Sequence, residues 1–359
     1  MRRESVGVSA RDALTLLGLP RIGKGEWHRR VREHGSAAAA LTRIGESPER
    51  AAAASDANDA IARAERLGVS LVVYGEETYP DALHDLTACE QADLAPAPPV
   101  VYALGNLALL RRPAVAIVGT RHATATGLRA AARIARECAD AGVLVVSGLA
   151  RGIDAAAHTG ALDCVGATAA VIGTGIDIAY PSDHRGLQQR ISRDGLLLTE
   201  FPPGQRATRG SFPERNRLIA ALTQLTIVVE AGHRSGALLT AMAAEKLNRA
   251  VAAVPGAFDS VSCLGSNELL RDGAHVIAST DDALALLHVT RADRHDVMPP
   301  PSLTPPERAI WDVLGAAPLD LDVVVERAGW AADACLAAVT TLELKGLVRA
   351  TNSGALHRA

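Results

Sequence analysis

The first 66 residues place apolar positions at helical spacing among long alanine runs and show no strand-like alternation, so they predict a helical region. From Val69 the period changes. The runs VSLVVY, AVAIVG, VLVVSG, ATAAVIG, LLLTE, TIVVEA, AVAAVPG and HVIAS are short, continuously apolar and bounded by Gly, Pro or Asp. Strands buried on both faces look like this, because helices cover the two sides of a parallel sheet. Helical stretches such as 127–141 and 237–247 supply the crossovers between them. The predicted fold class is α/β: an extended Rossmann-like, doubly wound, mostly parallel sheet over 67–288. Segment 91–99 is expected to be a surface loop before the main sheet begins.

Residues 289–303 are polar and proline-rich, and Pro299-Pro300-Pro301 continues neither a helix nor a central strand, so this segment predicts a linker. Beyond it, 307–314, 319–328 and 331–344 read as three amphipathic helices, followed by a short hairpin. Three helices and a β-wing are the plan of a winged-helix domain over 304–359. The helical region, 1–66, is expected to form a domain of its own, of the sterile-alpha-motif or helix-hairpin-helix kind.

Composition narrows the class. A hydrophobic fraction of 48% and a charged fraction of 21% suit a globular protein. No run reaches membrane-spanning length, and the N-terminus lacks a secretory apolar core, so the expected compartment is the cytoplasm. The five cysteines are scattered without a C-x-x-C pair, which predicts neither a disulfide framework nor a zinc site. No metal or cofactor is expected.

Charge is unevenly distributed. The chain carries a net charge of −3, yet the 111–236 segment holds 15 Arg, no Lys and 10 Asp plus Glu. A basic middle between acidic ends suits a localised polyanion site.

In an open parallel sheet, ligands bind beyond the carboxyl ends of the strands. Three loops there share one design. Gly119-Thr120-Arg121 follows strand 115–118, Ser147-Gly148-Leu149-Ala150-Arg151-Gly152 follows 143–146, and Glu230-Ala231-Gly232-His233-Arg234-Ser235-Gly236 follows 227–229. Each enters a helix and each carries an arginine. Glycine admits close approach of an anion, helix-start N–H groups donate to it, and arginine forks onto its oxygens. The dinucleotide fingerprint fails, since Ile178 stands where a third glycine belongs after Gly173-Thr174-Gly175, and no P-loop occurs. A mononucleotide or a nucleic-acid backbone remains.

Phe212-Pro213-Glu214-Arg215-Asn216-Arg217 sets an aromatic beside two arginines at a helix entry. Single-strand binders combine base stacking with guanidinium–phosphate contacts in this way. Phe212 admits two readings, a stacking platform or a plug beneath its own loop. The Leu19–Gly25 turn likewise admits an anion site or a plain interhelical turn. Asp154 and His158, four apart on one helix face, admit an oriented imidazole or a metal ligand pair, and the favoured reading is a structural hydrogen bond. Glu200 and Glu230 each end a strand and are candidates for paired carboxylates. No Ser–His–Asp or Cys–His arrangement stands out, so no catalytic residue is assigned.

The chain resembles the DNA-processing protein A (DprA/Smf) family. The resemblance runs through AIVGTR (116–121), SGLARGIDAAAH (147–158), VIGTGIDIAYP (171–181), TEFPPG (199–204), FPERNRLIAAL (212–222), VVEAGHRSGALLTA (228–241), AVPG (253–256) and LGSNELLRDGA (264–274). It implies a dimeric, single-stranded DNA-binding mediator, not an enzyme, that loads the RecA recombinase in natural transformation. The pocket it implies is lined by Gly119, Thr120 and Arg121, by Ser147 to Gly152, by Phe212, Arg215, Asn216 and Arg217, and by Ser235 and Gly236. The chain departs from the family where Gly-Thr-Arg replaces the common Gly-Ser-Arg and where Ser182-Asp183-His184 displaces the usual Asn after Tyr-Pro. The resemblance offers 264–274 as a candidate dimer surface, and its Leu269-Leu270 pair admits ordinary core packing instead.

A competing expectation is a nucleotide-hydrolysing, phosphoribohydrolase-like protein, but the Pro-Gly-Gly-x-Gly-Thr signature of such enzymes is absent. A sensor for a free nucleotide is a third. In the winged helix, the third helix carries Asp333 and Glu343 and no cation, which predicts protein contacts and not groove reading.

Overall fold

A computed structural model of the chain describes residues 9–88, 93–162, 164, 168–290, 303–314, 319–345, 347–350 and 355–358. It divides into two units, Met1–Val289 and Thr290–Ala359.

The first unit begins with helices α1 (Ala10–Gly18), α2 (Lys24–His34), α3 (Ala37–Ile44) and α4 (Pro48–Arg66). Ser36 and Ser47 start α3 and α4 by accepting hydrogen bonds from the amides of Ala39 and Arg50. The alanine runs let these helices pack closely, and Trp27, fully buried, donates from Nε1 to the Ala13 carbonyl at 3.1 Å. This helical core is not closed on itself. Leu16, Trp27 and Leu41 pack together with Val73 and Val100 from the sheet edge. The expected boundary at residue 66 therefore divides one continuous core, because small alanine faces bury too little area alone.

Strand β1 (Ser70–Val73) is followed by the short helix α5 (Asp85–Ala88) and by β2 (Val100–Gly105). There follow β3 (Ala114–Val118), α6 (Ala125–Asp140), β4 (Leu144–Ser147), α7 (Ile153–Leu162), β5 (Thr168–Val171), α8 (Arg185–Asp194) and β6 (Leu196–Thr199). The unit closes with α9 (Ser211–Ala221), β7 (Leu225–Val228), α10 (Gly236–Lys246), β8 (Ala250–Ala253), α11 (Leu264–Arg271), β9 (His275–Val276) and α12 (Thr280–Leu286). The sheet order is β1-β2-β6-β5-β4-β3-β7-β8-β9. Strands from β6 to β9 run parallel, whereas β1, β2 and β6 pair antiparallel. In β3, Ala116 and Val118 join one core layer while Val115 and Ile117 join the other, all nearly inaccessible. That alternation is why the run reads as continuously apolar.

The sequence reading of 91–99 needs correction. The main sheet already includes β1 before that segment, and β2 immediately after it completes the antiparallel edge. Ala97, Pro98 and Pro99 are buried, with Tyr79 donating to the Pro98 carbonyl at 2.8 Å. Residues 91 and 92 lie outside the described residues.

The second unit holds α13 (Pro305–Val313), α14 (Leu321–Ala328), α15 (Ala332–Leu344) and the antiparallel pair β10 (Val348–Ala350) and β11 (Leu356–Arg358). Thr304 and Glu307 form a reciprocal capping box at α13. Ile310, Leu314, Val324 and Leu342 fill its core. This is a winged helix. Most of the expected linker, 291–302, lies outside the described residues. Among the described residues no helix is long and apolar enough to cross a membrane.

Candidate nucleic-acid interface

The chain leaves β3 for β4 in one direction along the sheet and returns beside β3 as β7 in the other. This reversal opens a crevice at the carboxyl ends of β3, β4 and β7, the place where doubly wound sheets hold ligands. A cavity of about 710 Å³ lies there. Of the residues singled out by sequence, Gly119, Thr120, Arg121, Ala150, Phe212, Arg215, Asn216, Ser235 and Gly236 line it. Ser147, Gly148, Leu149, Arg151, Gly152 and Arg217 do not appear in its wall.

The second loop turns inward. The Asp154 carboxylate accepts from the amides of Gly148 at 3.1 Å and Ala150 at 3.3 Å. The Leu149 amide donates to His158 Nε2 at 3.3 Å, and Ser147 Oγ donates to the Ile117 carbonyl at 2.7 Å. Three successive amides expected to meet an anion are thus bound within the protein. His158 Nδ1 faces Thr168 Oγ1 at 2.8 Å, and that hydroxyl donates onward to the Val145 carbonyl. Burial holds the imidazole neutral, with its pKa pushed down to about 3. Asp154 and His158 are therefore the braces of a loop in which Leu149 stands at φ 57° and Gly152 at φ 76°.

Arg215 is buried beneath this loop. Its guanidinium donates to the Gly148 carbonyl at 2.6 Å and to the Val171 carbonyl, and its Nε donates to Asn216 Oδ1 at 3.1 Å. A side chain on Gly148 would collide with that guanidinium, so the glycine serves close packing. Burial lowers the Arg215 pKa to about 10, opposed by the nearby Asp154 carboxylate. Arg215 stands in the cavity wall as a fixed positive centre, not a reaching fork.

Two further arginines are neutralised. Arg151 pairs with Asp183 at 2.6 Å on the exposed surface. Arg217 points into the protein and pairs with Glu200 at 2.6 Å, both side chains almost wholly buried. Lys24, at the start of α2, joins them, 2.7 Å from Glu200 and in contact with Glu214 of α9. The Leu19–Gly25 turn thus delivers a lysine that ties the helical region to α9. Glu230 instead receives the Thr124 amide at 3.1 Å and the Thr124 hydroxyl at 3.0 Å. Glu200 and Glu230 serve separate networks and do not form a carboxylate pair.

What faces the cavity is compact. Arg121, exposed, places its guanidinium carbon 5.4 Å from the centroid of the Phe212 ring. Tyr180 lies on the same ring at 5.1 Å between centroids, tilted by 38°. Phe212 is partly exposed and packs beside Gly173. Arg209 and His122 add exposed basic groups to the wall. Sequence reasoning missed both, together with Tyr180. Tyr180 stands inside the VIGTGIDIAYP segment, where an aromatic beside Pro181 was an available signal, and the Arg206–Arg209 run marked its loop as basic.

Fold and rim together define an extended Rossmann-like α/β protein with a ligand crevice at its switch point and a winged helix after it. The chain belongs to the DNA recombination-mediator protein A family, whose model matches residues 70–288, and the DprA winged helix domain matches 295–354. It is 42% identical over 257 residues to the putative DNA processing protein DprA of Mycobacterium tuberculosis, covering 70% of this chain and 66% of that one. It is 39% identical over 203 residues to DNA processing protein DprA of Streptococcus pneumoniae, covering 56% of this chain and 72% of that one. With protein Smf of Synechocystis, 44% identity over 194 residues spans 53% of this chain and 49% of the relative. The chain therefore spans half to two thirds of the length of the mycobacterial and cyanobacterial relatives. The S. pneumoniae DprA crystal structure superposes with a TM-score of 0.60 at 31% identity, over 78% of this chain and 94% of that one. DNA processing protein A of Helicobacter pylori, described for its unique single-stranded DNA binding mode, gives a TM-score of 0.54 at 31% identity, over 61% and 95%.

Proposed function

We propose that this protein binds single-stranded DNA in the switch-point crevice, pairs with a second copy of itself, and passes the strand to the RecA recombinase without catalysing a reaction on it. The observation that carries the reading is the Arg121–Phe212–Tyr180 stack at the mouth of a cavity of about 710 Å³. A stacked aromatic takes a base face, and an exposed guanidinium beside it takes the adjoining phosphate. Such a site suits splayed bases and excludes the stacked bases of a duplex. The H. pylori relative's single-strand binding mode supports this, and the family's description as recombination mediators supports transfer to RecA. Phe258 and Val261, 89% and 76% exposed on the approach to α11, support pairing of two copies near 264–274. Asp154, the carboxylate among the residues that line the cavity, is held by the Gly148 and Ala150 amides, which supports a binding role over nucleotide hydrolysis.

The test is a salt-series titration of a fluorescent oligothymidylate against AMP. Log affinity for the single strand is expected to fall with log salt by about 0.7 per phosphate neutralised, and Arg121→Ala to flatten that slope by about 0.7. Tight AMP binding with release of free base would overturn the reading. Removal of residues 304–359 is expected to leave single-strand affinity above that of Arg121→Ala, since α15 offers no cation to DNA. A truncated chain as weak as Arg121→Ala would assign the winged helix to DNA after all.

A further inference from the structure

A second, shallower groove of about 590 Å³ adjoins the crevice and shares Arg121 and His122 with it. It runs between α6 and α7. Its floor is made of Ala132, Gly152, Ala155 and Ala156, its polar edge of Thr159, and its wall includes Arg129. The helices meet closely because Gly160 faces the Ala132 backbone, where a larger side chain would collide.

Neither an acidic side chain nor a Phe, Tyr or Trp lines this groove. Along α6, Arg133 and Arg136 follow Arg129 at i+4 and i+7 but lie outside the groove's lining, whose charged residues are Arg121 and Arg129. Arg129 is exposed and donates to Thr126 Oγ1 at 3.2 Å, and Arg133 pairs with Glu137 at 2.7 Å. The α6 carboxylates are Glu137 and Asp140, near its carboxyl end, and the α7 carboxylate within the described residues, Asp154, is buried.

We propose that the α6–α7 groove carries the sugar–phosphate backbone of the same strand onward from the crevice, binding phosphates and leaving bases unread. This inference rests on the single-strand reading above, and three features point to it. The groove begins at Arg121, the cation assigned to the crevice. Its small-residue floor lets a backbone approach closely, and its charge has one sign. Beyond His122, which it shares with the crevice, the groove has no ring on which a base could stack, so its contribution is electrostatic and independent of base.

The probes are an oligothymidylate of about six nucleotides and the same oligonucleotide extended at either end by an abasic phosphodiester tail. With the full chain, the tailed probe is expected to bind at least about five-fold tighter, with a steeper salt slope by about 0.7 for each added contact. Arg129→Glu and Ala156→Glu are each expected to remove that gain while leaving the untailed probe within about two-fold of its original affinity. The groove is excluded if tailed and untailed probes bind the unaltered chain equally, or if the gain survives both substitutions, as it would were the groove reserved for an acidic protein segment. If Arg121→Ala leaves the untailed probe unaffected, the crevice reading itself fails and the groove falls with it.

Discussion

Glu200→Ala is expected to destabilise the Met1–Val289 unit by about 3–5 kcal/mol, lowering its melting temperature by on the order of 10 °C. The reason is the burial of its partner. Arg217 and Glu200 are 3% and 1% exposed at their side chains and meet at 2.6 Å. Removing the carboxylate strands a guanidinium with no counter-charge in a medium that solvates it poorly, and Lys24 then adds a second cation to the same place. The pair itself need not be stabilising relative to an apolar filling. Glu200→Leu combined with Arg217→Met is accordingly expected to recover much of the loss. The same burial removes Arg217 from phosphate binding. Arg217→Ala, studied at a temperature where it remains folded, is expected to keep the salt slope of single-strand binding unchanged. A fully stable Arg217→Ala protein with a flattened slope would show that this side chain swings out to the strand.

Phe212→Ala is expected to weaken single-strand binding by about 1–3 kcal/mol, roughly five- to 150-fold, while leaving the salt slope in place. Stacking releases no counterions, so affinity and slope separate the aromatic from the cation. Because Arg121 rests over the Phe212 ring, the two act as a unit. The double variant Arg121→Ala with Phe212→Ala is expected to lose less than the sum of the single losses. Phe212→Leu serves as the packing control, since it fills similar space without a π-face. If Phe212→Leu binds as tightly as the unaltered chain, the ring is packing and not a platform.

The sheet was legible because parallel strands buried on both faces leave an unmistakable trace: VLVVSG reads as β4, TIVVEA as β7, and AVAIVG as β3. β2 escaped because it follows Pro98-Pro99 and pairs antiparallel at a distance in sequence, with Ser70–Val73 and Leu196–Thr199. The location of the crevice was also legible, since strand–glycine–helix loops must end at one rim. The direction of each group within those loops was not. Whether Gly148 and Ala150 donate outward or inward depends on Asp154, four to six residues on and brought back by α7. Whether Arg217 reaches solvent depends on Glu200, which belongs to another strand, and on Lys24 from another helix. A rim of many arginines is what the sequence predicts. The fold neutralises Arg151 with Asp183 and Arg217 with Glu200, sets Arg215 into the wall, and leaves Arg121 and Arg209 as the exposed cations of the cavity. The trough is narrower and more aromatic than composition suggests.

The central claim, that the crevice takes unstacked bases, is tested most directly by one equilibrium titration. A fluorescent oligothymidylate and a duplex of equal length are offered to the full chain and to Phe212→Ala at one fixed salt concentration. The account predicts a clear preference for the single strand that largely disappears in the variant, because a duplex presents phosphates but no free base face. Equal binding of duplex and single strand by the unaltered chain, or a preference that persists undiminished without the ring, would contradict it.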